Sequence, residues 1–584
     1  MPLVLPFGLA VAAVSVHAQT LPNVPVPAEN PITEEKRVLG KILFWDEQLS
    51  TDNLTACGTC HIPSAAGGDP RIDVNPGLDG AFNTPDDVFG SPGVPRADAN
   101  GNYIIDPAFD ARLQVTGRQA NIVVNAAYAS DLFWDGRATS EFVDPETGEV
   151  VIAGGGGLES QAVGPPLSSV EMAHEGMDWP AITSKLASAV PLALAADFPA
   201  DVDAVLASQP TYPELFEAAF GDPAISARRI AFALATYQRT LVSDQSPWDR
   251  WILGDPAALT PQQIQGWNAF IGSTCAVCHI PPEFTDHTFR SLGVRPDAMD
   301  AGRGAITGDP LDIGKFKTPT LRNVGLKTGF MHTGEFFNMQ QVLTFYAAPP
   351  RPGVANLDPL MPSPLPPNVR AAVDDFLTNG LTDPRVANET FPFDRPTLRS
   401  EMAANPALAG GGVAGTAGQV PQMLVHNPPL AGSADFRLGV TRIGEGASVE
   451  LNISQTPPIN GVVAADETIF ATAASGDGIA PAATAYYEIP NDASLEGEII
   501  FFQWVVPSTG ARSRVARATV LCPTGGCDAN CPADVNGDGL TTPSDFSAWV
   551  QAFNARSAAC DQNGDGLCTP QDFSSWIQNF NAGC

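Results

Sequence analysis

The pattern C-x-x-C-H occurs twice, as Cys57-Gly-Thr-Cys60-His61 and as Cys275-Ala-Val-Cys278-His279. No other feature constrains the fold as much, because each copy commits three side chains to one rigid, planar ligand. Two thiols three residues apart reach the two vinyl groups of a porphyrin, and the histidine that follows is held under the iron. With 10 cysteines and 7 histidines among 584 residues, chance yields on the order of 0.002 copies per chain. A four-cysteine zinc ribbon wants its pairs about 15–20 residues apart, far closer than these, and a thioredoxin-like pair does not call for the histidine. Two covalent haem c groups are therefore expected, one on Cys57, Cys60 and His61 and one on Cys275, Cys278 and His279.

Haem attachment to this motif takes place outside the cytoplasm. Residues 1–18 are apolar and end Val16-His17-Ala18, a small-residue end like that of a secretory signal, although a basic n-region is missing. An extracytoplasmic location, periplasmic or secreted, is expected. No later stretch reaches the ~18–20 apolar residues of a membrane span. A net charge of −33 argues against nucleic acid as a partner and would steer a basic redox protein toward the chain. Six further cysteines, Cys522, Cys527, Cys531, Cys560, Cys568 and Cys584, gather at the end. Their even number suggests disulfides whose pairing the sequence leaves open.

The pattern along the chain predicts several domains. Residues 30–243 and 244–395 read as helices joined by long loops, each half carrying one haem motif. Helices are expected over Glu34–Phe44, Ile225–Val242, Pro261–Phe270 and Val369–Leu377, and a loop from Pro63 to Pro107. Residues 396–433, rich in Ala, Gly and Pro, read as a linker. Short apolar or alternating runs over 434–522 (Phe436–Thr441, Ser448–Ile453, Ala485–Ile489, Glu498–Val506 and Arg514–Leu521) predict a small β-sandwich. Residues 523–584 hold a repeat. Asp534, Asn536, Asp538 and Asp545 occupy positions 1, 3, 5 and 12 of one loop, and Asp561, Asn563, Asp565 and Asp572 the same positions of the next, with Gly at position 6. This is the oxygen-ligand spacing of an EF-hand-type calcium loop, and a loop followed by a single helix resembles a dockerin repeat. Calcium is the expected ion, and a docking partner or a calcium-stapled end cap the expected role.

Longer motifs surround both haem sites. Leu39-Gly-Lys-Ile-Leu-Phe-Trp-Asp-Glu-Gln-Leu-Ser50 precedes the first. Phe133-Trp-Asp-Gly-Arg-Ala138 and Gln161-Ala-Val-Gly-Pro165-Pro-Leu-Ser-Ser-Val-Glu171-Met172 follow it. Lys317-Thr-Pro-Thr-Leu-Arg-Asn-Val324 and Gly329-Phe-Met-His-Thr-Gly334 follow the second. Over roughly residues 30–395 the chain resembles the bacterial diheme cytochrome c peroxidase family, which includes the MauG-like proteins. The resemblance implies a mainly α, two-domain diheme cytochrome c fold, with peroxide reacting at the N-terminal haem and electrons relayed by the C-terminal one. It implies His61 as proximal ligand of the peroxidatic haem, Glu171 as its acid/base group, Gln161 and Pro165 as pocket residues, and Trp134 between the haems. It implies His279 as proximal ligand of the second haem. The sixth ligand there, a Met in classical members, falls on Tyr346, as in MauG-like members; Met331 and Met339 are the alternatives. Classical members block the resting iron with a histidine after the first motif. None lies here between His61 and His174, which implies an open first site. An interdomain calcium near Gln119, Lys327 and Gly329 is implied as well. The remaining histidines, His174, His287, His332 and His426, are expected to be hydrogen-bonded or exposed.

The expected function is an exported diheme peroxidase that reduces hydrogen peroxide to water with electrons from a small cytochrome, a cupredoxin or another donor. One alternative is a MauG-like oxidase acting on a protein substrate, and another is an electron-transfer cytochrome without catalysis.

Overall fold

The computed structural model of the protein describes residues 20–348, 352–416, 418–475, 480–523, 533, 535, 543–557, 560, 562 and 568–582. The signal-like segment 1–18 and the repeat positions Asp534, Asn536, Asp538, Asp561, Asn563 and Asp565 lie outside the described residues.

Two helix pairs organise the haem-motif halves. Thr33 caps the helix Glu34–Trp45 by accepting from the Lys36 N–H, and Glu34 and Glu35 sit at its positive end. That helix packs against Ala227–Gln238 around Leu39, Ile42, Leu43, Phe44, Ile230 and Leu234. The approach is close because Gly40 stands at the crossing: a Cβ there would fall 1.9 Å from the Ala233 carbonyl oxygen. In the second half Thr260 and Gln263 form a capping box that starts the helix Pro261–Ile271. It packs against Pro367–Asp375, and Gly266 plays the same part, its Cβ position lying 2.0 Å from the Ala372 oxygen. Trp248, Trp267, Phe270, Phe284 and Phe376 fill this core.

The halves also repeat one another around the loops after each haem motif. Asn125 and Asn323 both adopt left-handed backbone (φ 62° and 59°) and both cap one-turn helices, Ala126–Tyr128 and Val324–Leu326. Each is followed by a hairpin closed by a single bridge, Leu132 to Ala138 and Phe330 to Phe336. Trp134 and His332 occupy matching places in these hairpins. The Lys317 N–H donates to the Trp134 oxygen (2.7 Å), and the Gln119 N–H to the His332 oxygen (2.8 Å). The two rings meet edge to face at 6.2 Å, so the halves face each other through equivalent residues.

Beyond residue 395 two antiparallel sheets share one core. In one the order is Gln422–Leu424, Phe436–Thr441, Pro481–Tyr487, Ala474–Ser475. In the other it is Glu467–Thr472, Ser448–Ser454, Ile499–Val506, Val515–Thr519, Ala407–Ala409, with Ala511–Arg512 also on Ile499–Val506. Leu438 and Val440 from the first sheet meet Leu451, Phe502 and Trp504 from the second. Two expectations need correction. The segment read as linker, 396–433, contributes the strands Ala407–Ala409 and Gln422–Leu424, because three-residue strands at sheet edges show no alternation amid Ala and Gly. The strand Glu467–Thr472 was not expected, since no residue of it is fully buried and burial is what produces a periodic signal.

In the tail, the helices Pro543–Ala555 and Pro570–Ala582 pack through Trp549 and Trp576. The Trp549 indole donates to the Cys560 oxygen (3.2 Å) and the Trp576 indole to the Ala533 oxygen (3.1 Å). Cys560 and Cys568 are bridged. Asp545 and Asp572, the last positions of the two loops, are buried. Among the described residues no helix is long and apolar enough to cross a membrane.

Candidate active site

Each haem motif forms one helical turn, Cys57–Cys60 and Cys275–Cys278, at the wall of its own cavity. The four thiols are free, and burial raises the pKa of each, that of Cys57 to about 12. His61 and His279 line the same walls. Nδ1 of His61 donates to the Gly67 oxygen at 3.0 Å, and Nδ1 of His279 to the Phe284 oxygen at 3.1 Å. A carbonyl can only accept, so each ring carries its proton on Nδ1 and keeps the Nε2 lone pair for a metal. Burial lowers both imidazole pKa values, which keeps the rings neutral. Free paired thiols beside a neutral, oriented imidazole suit haem c at both sites.

The first cavity measures about 610 Å³ and is also lined by Gln161, Pro165 and Glu171. Gln161 comes from the helix Gly157–Ala162, and Pro165 opens the turn Pro165–Leu167. The Ser168 oxygen then accepts from the N–H groups of Glu171, Met172 and Ala173 at 3.1, 3.0 and 2.9 Å. This tight turn presents Glu171. Burial raises its carboxyl pKa, while a hydrogen bond from Ser168 and the nearby Arg137 charge partly offset the rise. A carboxylate held in this way at the cavity wall can both take and return a proton. His287 also lines this cavity, and Glu283 holds its Nε2 at 2.7 Å.

The second cavity, about 160 Å³, is lined by Met339, Val342, Leu343 and Tyr346, one face of the helix Met339–Ala347, and by Met331. Burial raises the Tyr346 phenol pKa, so that phenol ionises there only against a cation. Trp134 belongs to the walls of both cavities, with Asn121, Ile122 and Lys317. Its indole donates to the Gln119 oxygen at 2.8 Å. Arg118 braces the next residue, Asp135 (2.6 Å), and reaches across to Asp300 (2.7 Å) in the other half.

Gln119 and Gly329 come together: a Cβ on Gly329 would lie 3.3 Å from the Gln119 amide. The buried Oε1 of Gln119 has no partner among the described residues. Its Nε2 and the Thr328 hydroxyl donate to the Asp69 oxygen at 3.4 and 3.3 Å. Lys327 lines the second cavity, and its Nζ lies 3.6 Å from where a Cβ on Gly68 would stand.

Several site residues escaped sequence reasoning. Lys317 lines both cavities with a pKa lowered to about 8 by burial, and nothing in its motif separates it from a surface lysine. Arg137 beside Glu171 is one of many charges. His332, in the motif 329–334, lines the second cavity rather than being exposed: it is 4% exposed, its Nε2 has no partner among the described residues, and it stacks on Phe316 at 3.6 Å.

Residues 34–257 match the family of di-haem cytochrome c peroxidases. The chain is 31% identical to the methylamine utilization protein MauG of Methylophilus methylotrophus over 330 residues, 56% of this chain and 76% of that protein. It is 30% identical to the cytochrome-c peroxidase IdrP1 of Denitromonas iodatirespirans over 387 residues, 58% of this chain and 83% of the relative. It is also 30% identical to the cytochrome c551 peroxidase of Pseudomonas aeruginosa over 323 residues, 54% of this chain and 72% of the relative.

Proposed function

The chain belongs to the di-haem cytochrome c peroxidase family, and on that premise we infer that it reduces hydrogen peroxide to water with electrons from an external donor. The observation that carries the reading is the meeting of Glu171, Gln161 and Pro165 with the first haem motif in one cavity whose wall, at Trp134, is shared with the second.

When bound, the two haems supply redox-active iron for peroxide and a store for the donor's electrons. Cys57, Cys60 and His61 would hold the first, and Cys275, Cys278 and His279 the second. Glu171 takes the proton from one peroxide oxygen and returns it to the other, so that the departing oxygen leaves as water. Two electrons and two further protons balance the conversion of one peroxide to two waters. Gln161 and Pro165 limit the space in which peroxide can turn. Trp134 provides an aromatic path between the two sites, fixed at both its indole and its carbonyl.

Intact-mass measurement and donor-dependent peroxide turnover test the reading. The mature chain is expected to carry two haem additions, and the double variants Cys57→Ala with Cys60→Ala and Cys275→Ala with Cys278→Ala one fewer each. One haem or none in the parent protein would overturn it.

A specific feature favours the MauG-like variant of this chemistry, in which electrons come from a protein substrate: Tyr346 lines the second cavity where a classical member has methionine. Tyr346→Phe is expected to change the ferric absorption spectrum of that haem. An unchanged spectrum would reassign the ligand to Met339 or Met331. The haem motifs and the family support an extracytoplasmic location. Gln119, with the backbone near Gly329, supports an interdomain calcium, and the paired loops at Asp534–Asp545 and Asp561–Asp572 support calcium binding and docking by the tail.

A further inference from the structure

We propose that Arg437, in the β-sandwich, is a positioning residue for Glu171 and acts through two loops of the first haem-motif half. The proposal rests on Glu171 as the proton-transfer group.

The Glu171 turn is held from two sides. On one side the Thr51 N–H donates to the Met172 oxygen at 2.8 Å, and the Thr51 hydroxyl pairs with the His174 Nδ1 at 3.0 Å. On the other, the Val94 N–H donates to the Val170 oxygen (3.1 Å) and the Glu175 N–H to the Ala97 oxygen (3.0 Å), and Arg96 pairs with Glu175 at 2.9 Å. Gly93 lies so close under the turn that a Cβ would stand 2.9 Å from the Glu171 Cα. Glu171 therefore cannot shift unless the segments at 51 and at 93–97 shift too.

Both segments run to the β-sandwich, and both end on Arg437. Its Nη1 donates to the Gly101 oxygen at 2.6 Å, which pins the continuation of 93–97. Its Nε donates to the Asn427 Oδ1 at 3.1 Å, and the Asn427 amide contacts the Thr51 oxygen at 3.5 Å. The guanidinium lies over the Tyr103 ring at 4.7 Å, and the residue is 2% exposed. Two lesser contacts brace the same loop: the Tyr103 N–H donates to the Thr484 hydroxyl (2.9 Å) and the Tyr486 hydroxyl to the Asn100 oxygen (2.8 Å). A fork-shaped donor is suited to this place because it serves two acceptors in fixed directions while stacking on a ring. The β-sandwich is thus a structural part of the first site and not only an attachment to it.

The test uses the full-length holoprotein. Arg437→Met is expected to lower peroxide turnover by roughly 10- to 100-fold, the range for displacing a reacting group by a fraction of an ångström or more. In the Glu171→Gln background the same substitution is expected to cause no further loss, because both changes act through one carboxylate. Hydrogen exchange should rise about tenfold or more at amides 168–175 while the helix Ala227–Gln238 stays protected. Arg437→Lys should recover part of the loss. Should Arg437→Met fail to fold, Tyr486→Phe removes one bond of the same brace and is expected to show the same pattern at smaller size. Equal losses with and without Glu171, or unchanged exchange at 168–175, would overturn the proposal. If Glu171→Gln alone keeps full turnover, the acid/base reading fails, and the exchange measurement still decides whether Arg437 holds the turn.

Discussion

Glu171→Gln is expected to lower peroxide turnover by about 10²–10⁴-fold while leaving haem content and resting spectra in place. The substitution keeps the shape and polarity of the side chain and removes only its capacity to take and return a proton. The turn that presents it is built from main-chain bonds to the Ser168 oxygen, which do not depend on the side chain, so a structural collapse is not expected. The pH profile supplies a second readout. Burial raises the Glu171 pKa above the ordinary 4.5, and the working form is the carboxylate. Turnover should therefore fall on the acid side through a pKa higher than 4.5, and that limb should vanish in Glu171→Gln. Turnover near the parental value, with the acid limb intact, would assign the proton transfer to another group.

The parts of this site that could be read in advance are those encoded by neighbours in the chain. The C-x-x-C-H turns place three ligands within five residues, so their spacing is the geometry. The helices Glu34–Trp45 and Pro261–Ile271 start where Thr33 and Thr260 can cap them. Met339 and Tyr346 share a helical face because of the 3.6-residue turn. What could not be read is which distant segments meet. The bond from Arg437 to Gly101 spans 336 positions, and no periodicity reports it. The match between Trp134 and His332 was hidden because the hairpins share backbone conformation, with left-handed Asn125 and Asn323, but little side-chain chemistry. Lys317 looks like a surface lysine until the fold sets it on the wall shared by both cavities. The strands Ala407–Ala409 and Gln422–Leu424 are too short to alternate visibly, and their partners supply the order.

Asp249→Ala is expected to destabilise the second half by roughly 3–5 kcal/mol, the cost of leaving a buried charge without its partner. Arg322 is 1% exposed. Its two terminal nitrogens reach the two carboxylate oxygens of Asp249, each at 2.8 Å, and Nε donates to the Pro282 oxygen at 2.8 Å. Asp249 also accepts from the N–H and hydroxyl of Ser246 at 2.8 and 2.6 Å, closing the capping box of the helix Pro247–Ile252. One carboxylate thus ties that helix to the loop that carries the Phe284 oxygen, the acceptor that orients His279. Removing it strands a guanidinium that cannot shed its proton and frees that loop. Arg229 and Asp222 provide the contrast: the acid of that pair is 55% exposed, and Asp222→Ala should leave the stability almost unchanged because solvent screens the pair. The chain has several domains, so one unfolding midpoint would mix their transitions. Hydrogen exchange of the helix Pro261–Ile271 reads the second half alone. Asp249→Ala should also move the midpoint potential of the second haem, since His279 loses its fixed orientation. The double variant Arg322→Met with Asp249→Leu should be more stable than Asp249→Ala, because no buried charge is left unpaired. Exchange rates in Asp249→Ala equal to those of the parent would show that water reaches Arg322 and that the pair does not hold the loop.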